Sequence, residues 1–460
     1  MFIEVNGLAA LHKKNFLLIL TVALGVLLNP LNSSMIAVAL SRIQEDFSLS
    51  FTDASWLIST YYLASGIGQP VMGKLADAFG AKRMYIIGLL MIAVSAVAAP
   101  FSPSFGWLVG IRIIQAVGSS ALFPSGMGMI RSSITENQAQ ALGVLSIFSS
   151  VSAAFGPSIG GFLVHFGDWP AIFVINFPII IAGLILAIKI LPKSKPSGKK
   201  ASIDYAGIIL FSFMIISWLL FLLGLENSFS IWKLILSVIL TIIFYMAEKR
   251  RSEPFVNVIA LKKNVNMSLV YVQFILVNIV FYSIFFGIPL YLQDFRHYDS
   301  KTTGLVMLSV AGFGMIVSPL TGRWIDRSGS KPPLLAGAFS IIAGSLLLTT
   351  VQGNSPILWL VFALSVLGLS NGFNNLGLQT ALYAFVPPAE TGAASGLFMT
   401  SRYIGTILSS SLLGILFGKH VTTAHLHTMA LVSVVIGVLV LLLTVRMPGA
   451  RFRKKLQESK

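Results

Sequence analysis

Apolar stretches of about twenty residues recur along almost the whole sequence, with short polar connections between them. At a rise of ~1.5 Å per residue, each can cross ~30 Å of hydrocarbon as a helix. Fourteen are marked, near 15–37, 52–72, 84–100, 106–130, 138–165, 169–191, 204–225, 230–247, 266–292, 303–322, 333–351, 356–385, 392–418 and 425–446. The first exceeds the core of a cleavable signal and no small-residue cleavage site follows it, so it is read as a span. Of the 460 residues 55% are hydrophobic and only 10% charged. A soluble domain carries ~25% charged residues, so this chain cannot cover itself in water. The expected fold class is an all-α polytopic, multi-pass membrane protein with the lipid bilayer as its solvent. Cysteine is absent, which excludes disulfides, thiolate metal sites and cysteine nucleophiles.

The net charge is +16. In a soluble protein such an excess would point to nucleic acid. Here the cations sit in the short connections, and they sort by side. With the N-terminus inside, most of the 32 Lys and Arg residues fall in inner segments, among them Lys13, Lys14, the 189–200 stretch and Lys249 to Arg251. That bias places both termini in the cytoplasm and makes the charge a topology signal, with no nucleic-acid partner. A plasma (inner) membrane location follows as an expectation.

Two connections are alike. Residues 73–83 read GKLADAFGAKR and residues 322–332 read GRWIDRSGSKP. They share Gly73/Gly322, Lys74/Arg323, Asp77/Asp326, Gly80/Gly329 and Lys82/Lys331. Both lie inside, eight marked stretches apart, so the copies share one orientation. Parallel repeats of this kind build two-lobed transporters. The division expected is a six-helix lobe over 1–200, two inserted helices over 201–262 and a second six-helix lobe over 263–460. Glycine in such a loop permits a tight turn with positive φ, and an Asp at a helix start is favoured by the helix dipole.

The loop resembles the signature of the major facilitator superfamily, and the whole chain resembles its fourteen-helix drug:proton antiporter branch. LNSSMIAVAL (31–40), RIIQAVGSSA (112–121), GPSIGG (156–161) and WPAIFVINFP (169–178) resemble further motifs of that branch. The resemblance implies alternating access, with Lys74, Asp77, Arg83 and Asp326 as conformational residues of the repeated loop. It implies a coupling role for Arg112 and, for Gly156, Pro157 and Gly160, the helix-five motif of exporters that exchange substrate for protons. Family members with proton coupling often carry Asp where this chain has Asn32, and asparagine cannot titrate.

Charge inside hydrocarbon costs ~2.5–3.5 kcal/mol on insertion scales, so Arg112 invites a functional reading. Gln115 and Ser119 follow it at i+3 and i+7, on the same helical face. Arg402 lies in another span and is read as structurally paired. The sixteen acids all fall in loops or at helix ends, which leaves Asp53 and Asp294 as the candidate proton carriers. Uncharged polar residues mark a substrate cavity: Asn29, Asn32 and Ser33 at i, i+3 and i+4; Asn371, Asn374 and Asn375 at the same spacing; and Gln273, Asn278 and Tyr282. Inter-helix hydrogen bonding is the alternative for each. A cavity with arginines and no carboxylates suits neutral, zwitterionic or anionic amphiphiles better than strongly cationic drugs.

No GxxxxGK[ST] run and no HExxH occur, and two GxSxG matches (156–160 and 368–372) fall inside apolar helices, where a nucleophile elbow cannot form. The chain is expected to be no enzyme and to need no cofactor and no metal. It is expected to act as a monomeric secondary transporter whose partners are the bilayer, a small amphiphilic substrate and protons. The alternatives are an uncoupled or differently coupled exporter of a specific endogenous metabolite or lipid, and a non-transporting membrane receptor or scaffold.

Overall fold

In a computed structural model, residues 15–134, 136–192, 204–224, 230–417 and 421–448 are described. Lys13, Lys14 and the 193–200 part of the cationic stretch lie outside them. The long helices are α1 (Leu28–Asp46), α2 (Phe51–Phe79), α3 (Ala81–Ala98), α4 (Phe105–Ser133), α5 (Gln138–Gly167), α6 (Asn176–Ile190), α7 (Tyr205–Gly224), α8 (Ile231–Lys249), α9 (Val265–Leu290), α10 (Ser300–Ser328), α11 (Lys331–Thr349), α12 (Ile357–Phe385), α13 (Thr391–Phe417) and α14 (Thr423–Arg446). Helical residues 15–26 precede α1, separated from it by Leu27. Among the described residues, 11 helices are long and apolar enough to cross a membrane. Helices α2, α5 and α13 also coincide with marked stretches and, at 29, 30 and 27 residues, have the length.

The chain forms two compact units, residues 1–202 with 386–400, and residues 203–385 with 401–460. In the first, α4 packs on α2 and on α3, and α3 packs on α6. In the second, α12 packs on α10 and on α11, and α11 packs on α14. The two units thus repeat one packing pattern.

The loops themselves are built alike. Gly80 closes α2 at φ 100° and Gly329 closes α10 at φ 79°, backbone angles that disfavour any residue with a Cβ. The cation two residues later caps another helix of its own unit. Lys82 Nζ donates to the carbonyls of Ile188 (2.7 Å) and Leu191 (2.8 Å) at the end of α6. Lys331 Nζ donates to those of Val445 (2.7 Å) and Met447 (2.7 Å) at the end of α14. A cation there satisfies orphan carbonyls and the negative end of the helix dipole. Lys82→Met and Lys331→Met should each lower stability by about 1 kcal/mol, measured by thermal unfolding of the purified protein.

Candidate functional site

The first unit encloses a buried polar network. Arg112 of α4 is only 1% exposed. Its Nη1 donates to Gln115 Oε1 (2.6 Å), one turn along, and its guanidinium lies 4.2 Å from the centre of the Tyr61 ring on α2. Its Nε and Nη2 are buried and find no acceptor among the described residues. Gln115 Nε2 in turn donates to Asn32 Oδ1 (3.1 Å). Asn32 and Asn176 exchange amide hydrogen bonds, Asn32 Nδ2 to Asn176 Oδ1 (3.1 Å) and Asn176 Nδ2 to Asn32 Oδ1 (2.9 Å). Nearby, Asn29 Nδ2 donates to Ser119 Oγ (2.9 Å), which also meets the Tyr61 hydroxyl at 3.2 Å. Three helices, α1, α4 and α6, therefore meet through amides, with a cation at one end of the chain of bonds. The structure brings Asn29, Asn32, Arg112, Gln115 and Ser119 together through inter-helix hydrogen bonds. Ser33 instead donates to the Pro30 carbonyl of its own helix. Asn176 and Tyr61 were not singled out. An asparagine inside the apolar run 169–191 was the available signal for the first, and Tyr61 gave none.

A second arrangement in the same unit involves the repeated loop. Asp77 Oδ1 and Oδ2 accept the backbone N–H groups of Gly392 and Ala393, both at 2.8 Å. The carboxylate thus sits on the positive, N-terminal end of α13. Burial pushes the Asp77 carboxyl up to about 7, against the pull of those two donors and of Lys74. Glycines allow the approach: a Cβ on Gly73 would collide with the Gly392 carbonyl, and one on Gly396 with that of Gln69. Thr400 Oγ1 donates to the Gly66 carbonyl (2.8 Å). From α4, Arg131 donates to Thr391 Oγ1 (2.9 Å) and to the Val386 carbonyl. Arg83 is exposed, and so is Asp326, the counterpart of Asp77 in the second copy.

The remaining candidates are more dispersed. Gly156 and Gly160 face α1 of their own unit. A Cβ on Gly156 would lie 2.7 Å from Ser34 Cβ, and one on Gly160 3.0 Å from Met35 Cα, whereas Pro157 is exposed. In the second unit Gln273 is buried, accepts from Thr444 Oγ1 (3.1 Å) and ties α9 to α14. Asn278 donates to the Phe274 carbonyl of its own helix (2.7 Å). Tyr282 OH accepts from Arg402 Nε at 2.9 Å. Asn371 lines a small cleft with Val277, Phe281, Ile284, Leu367 and Ser370. Asn374 points instead at Gly337 of α11 and donates to the Ser370 carbonyl (3.0 Å), while Asn375 is half-buried. Asp53 is exposed and forms a helix cap with Ser50, whose Oγ donates to Asp53 Oδ2 (2.6 Å). Asp294 is exposed in the turn that follows α9.

Among the described residues no group of three or more His, Cys, Asp or Glu side chains is placed to hold a metal ion.

The profile of a family described as Major Facilitator Superfamily matches residues 22–410. The chain is 48% identical over 442 residues to an uncharacterised MFS-type transporter, YwoD of Bacillus subtilis, covering 95% of this chain and 98% of that protein. It is 26% identical to the riboflavin transporter RibZ of Clostridioides difficile over 89% of this chain and 90% of that one. It is 28% identical to the tetracenomycin C resistance and export protein of Streptomyces glaucescens over 88% and 76%. The fold is similar to that of the human organic anion transporter MFSD10, with a TM-score of 0.67 at 14% identity over 94% of this chain and 99% of that one.

Proposed function

The chain belongs to the major facilitator superfamily, and from that premise we propose that it exports amphiphilic small molecules, drugs among them, in exchange for protons by alternating access. The observation that carries this reading is Arg112, a buried cation whose Nε and Nη2 lack an acceptor, set at the end of an amide chain. A stabilising role alone is a poor reason to keep such a group in an apolar unit, because the desolvation of a buried charge outweighs one hydrogen bond. The relatives support transport of organic molecules, and the protein of Streptomyces glaucescens is described as an exporter. The reading includes crossings by α2, α5 and α13, which brings the spans to fourteen, a monomer in the plasma membrane and both termini in the cytoplasm. It gives no role to a cofactor. The cations without neighbouring carboxylates favour neutral, zwitterionic or anionic substrates.

A second reading is an exporter of an endogenous metabolite not coupled to protons. Asn32 favours it, since an amide bonded to Gln115 and Asn176 cannot release a proton. Purified protein in liposomes, assayed with and without an imposed pH gradient on matched anionic and cationic amphiphiles, separates the readings. Uptake that follows the gradient supports exchange for protons, and uptake indifferent to it supports the second reading. A strict preference for dications overturns the substrate class, and no movement under any gradient overturns transport.

A further inference from the structure

Helices α7 and α8 form a hairpin with a polar seam: Ser217 and Ser237 hydroxyls meet at 2.8 Å, and Trp218 Nε1 donates to Thr241 Oγ1 at 2.9 Å. At the end of the hairpin where α7 begins and α8 ends, two carboxylates are buried, Asp204 at 7% and Glu248 at 1% exposure. One oxygen of each is accounted for. Asp204 Oδ1 accepts from the Gly207 N–H (2.6 Å) and from Arg251 Nη1. Glu248 Oε2 accepts from the Val256 N–H (2.7 Å). The other two oxygens, Asp204 Oδ2 and Glu248 Oε1, are buried with no donor among the described residues.

These two oxygens converge. A Cβ on Gly207 would run into Glu248 Oε1 and come within 2.6 Å of Asp204 Oδ2, so both border the same small space that a glycine leaves open. About one turn along α7 and α8 from Gly207 and Glu248, Phe211 meets Phe244 tilted at 5.7 Å, and it meets Phe255, the neighbour of Val256, edge-on at 5.3 Å; all three are buried. Two ionised carboxylates in such surroundings repel each other and each lacks hydration. Among the described residues the charged groups acting on Glu248 are Asp204 and Arg251. Tyr205, Lys249, Arg250 and Glu253 are exposed, as are Lys262 and Lys263 on the short helix Val258–Lys263. Among the described residues one exposed arginine therefore faces two buried acids, one negative charge more than it compensates.

We propose that Asp204 and Glu248 bind one proton between Oδ2 and Oε1, forming a carboxyl–carboxylate clasp that fastens the base of the α7–α8 hairpin to the 250–257 turn. The proton supplies the one missing donor and brings the group of two acids and one arginine to neutrality. It also explains why two acids occupy the foot of a hairpin in place of an acid and an amide: the strength of the clasp then depends on pH. The site shares no residue with the Arg112 network and stands whether or not the transport reading holds.

The test uses the full-length protein in detergent. Infrared difference spectra between about pH 5 and about pH 9 should show a protonated-carboxyl band in the wild type that Glu248→Gln and Asp204→Asn each lack. Because the folded pair holds a proton that unfolded carboxyls release, wild-type stability should fall as pH rises through this range, and Glu248→Gln, whose amide donates in the proton's place, should lose that part of the fall. Identical spectra and identical stability profiles for wild type and Glu248→Gln overturn the proposal. Should neither variant fold, the same spectra and melting temperatures are taken on Asp77→Asn, which removes the other carboxyl that burial raises: a protonated-carboxyl band and a fall of stability with pH that persist there support the proposal, and the absence of both overturns it equally.

Discussion

Arg112→Ala should abolish transport while the purified protein stays folded. The side chain makes one charge-assisted hydrogen bond, to Gln115, and one cation–π contact, to Tyr61. Those contacts are worth about 2 kcal/mol each in a dry site. Against them stands the cost of a buried guanidinium, of order several kcal/mol, so its loss leaves folding stability nearly unchanged. Transport behaves differently if Arg112 meets the substrate or steers the proton during the cycle. Losing one such contact at ~3 kcal/mol lowers the rate by at least about a hundredfold. Arg112→Lys keeps the charge without the planar fork and should recover only a fraction of the activity. Transport in liposomes and the melting temperature are read on the same preparation. Undiminished transport by Arg112→Ala assigns the residue to structure, and a variant that melts early while Arg112→Lys is intact does the same.

Helix positions were legible because hydrocarbon demands long apolar runs, a demand met within each segment. Partners were less legible, since they depend on what a helix meets. The spacing of Asn29, Asn32 and Ser33 put three polar groups on one face, yet only the two amides reach across helices, because a serine hydroxyl is short enough to bond its own helix. Asn371 and Asn374 share a face by spacing, but Asn374 is turned toward Gly337, where the missing side chain makes room for it. The loop repeat was legible down to its glycines and the positions of its lysines, but not the helix ends that those lysines cap. What it could not tell is which aspartate meets a helix end. Asp77 meets the start of α13 from a half-buried position, whereas Asp326 is exposed. Asp204 and Glu248 looked like ordinary connection acids, and their burial depends on the fold of the 250–257 turn.

Asp77→Ala should free the start of α13. The two N–H groups it leaves behind, on Gly392 and Ala393, lose a shared carboxylate and the favourable end of the helix dipole. The expected cost to this contact is about 2–3 kcal/mol, a roughly 30- to 150-fold shift in how often the segment opens. Hydrogen exchange of the peptide spanning 391–400 reads it directly, and unchanged protection removes Asp77 as the tie. Asp77→Asn keeps one accepting oxygen and should fall between. The pH dependence has a definite sign. With its carboxyl raised to about 7 where it is buried, Asp77 holds its proton more tightly in the tied state than when the segment opens and water reaches it. The stability this contributes is therefore complete below the ordinary carboxylate range and is lost as pH rises through about 7. After correction for intrinsic exchange rates, protection of the wild-type segment should decline with rising pH, and in Asp77→Asn that decline should be absent. A proton on Asp77 thus bears on the start of α13, the segment whose N–H groups it holds. A wild-type protection profile that rises with pH would separate the aspartate from any such control.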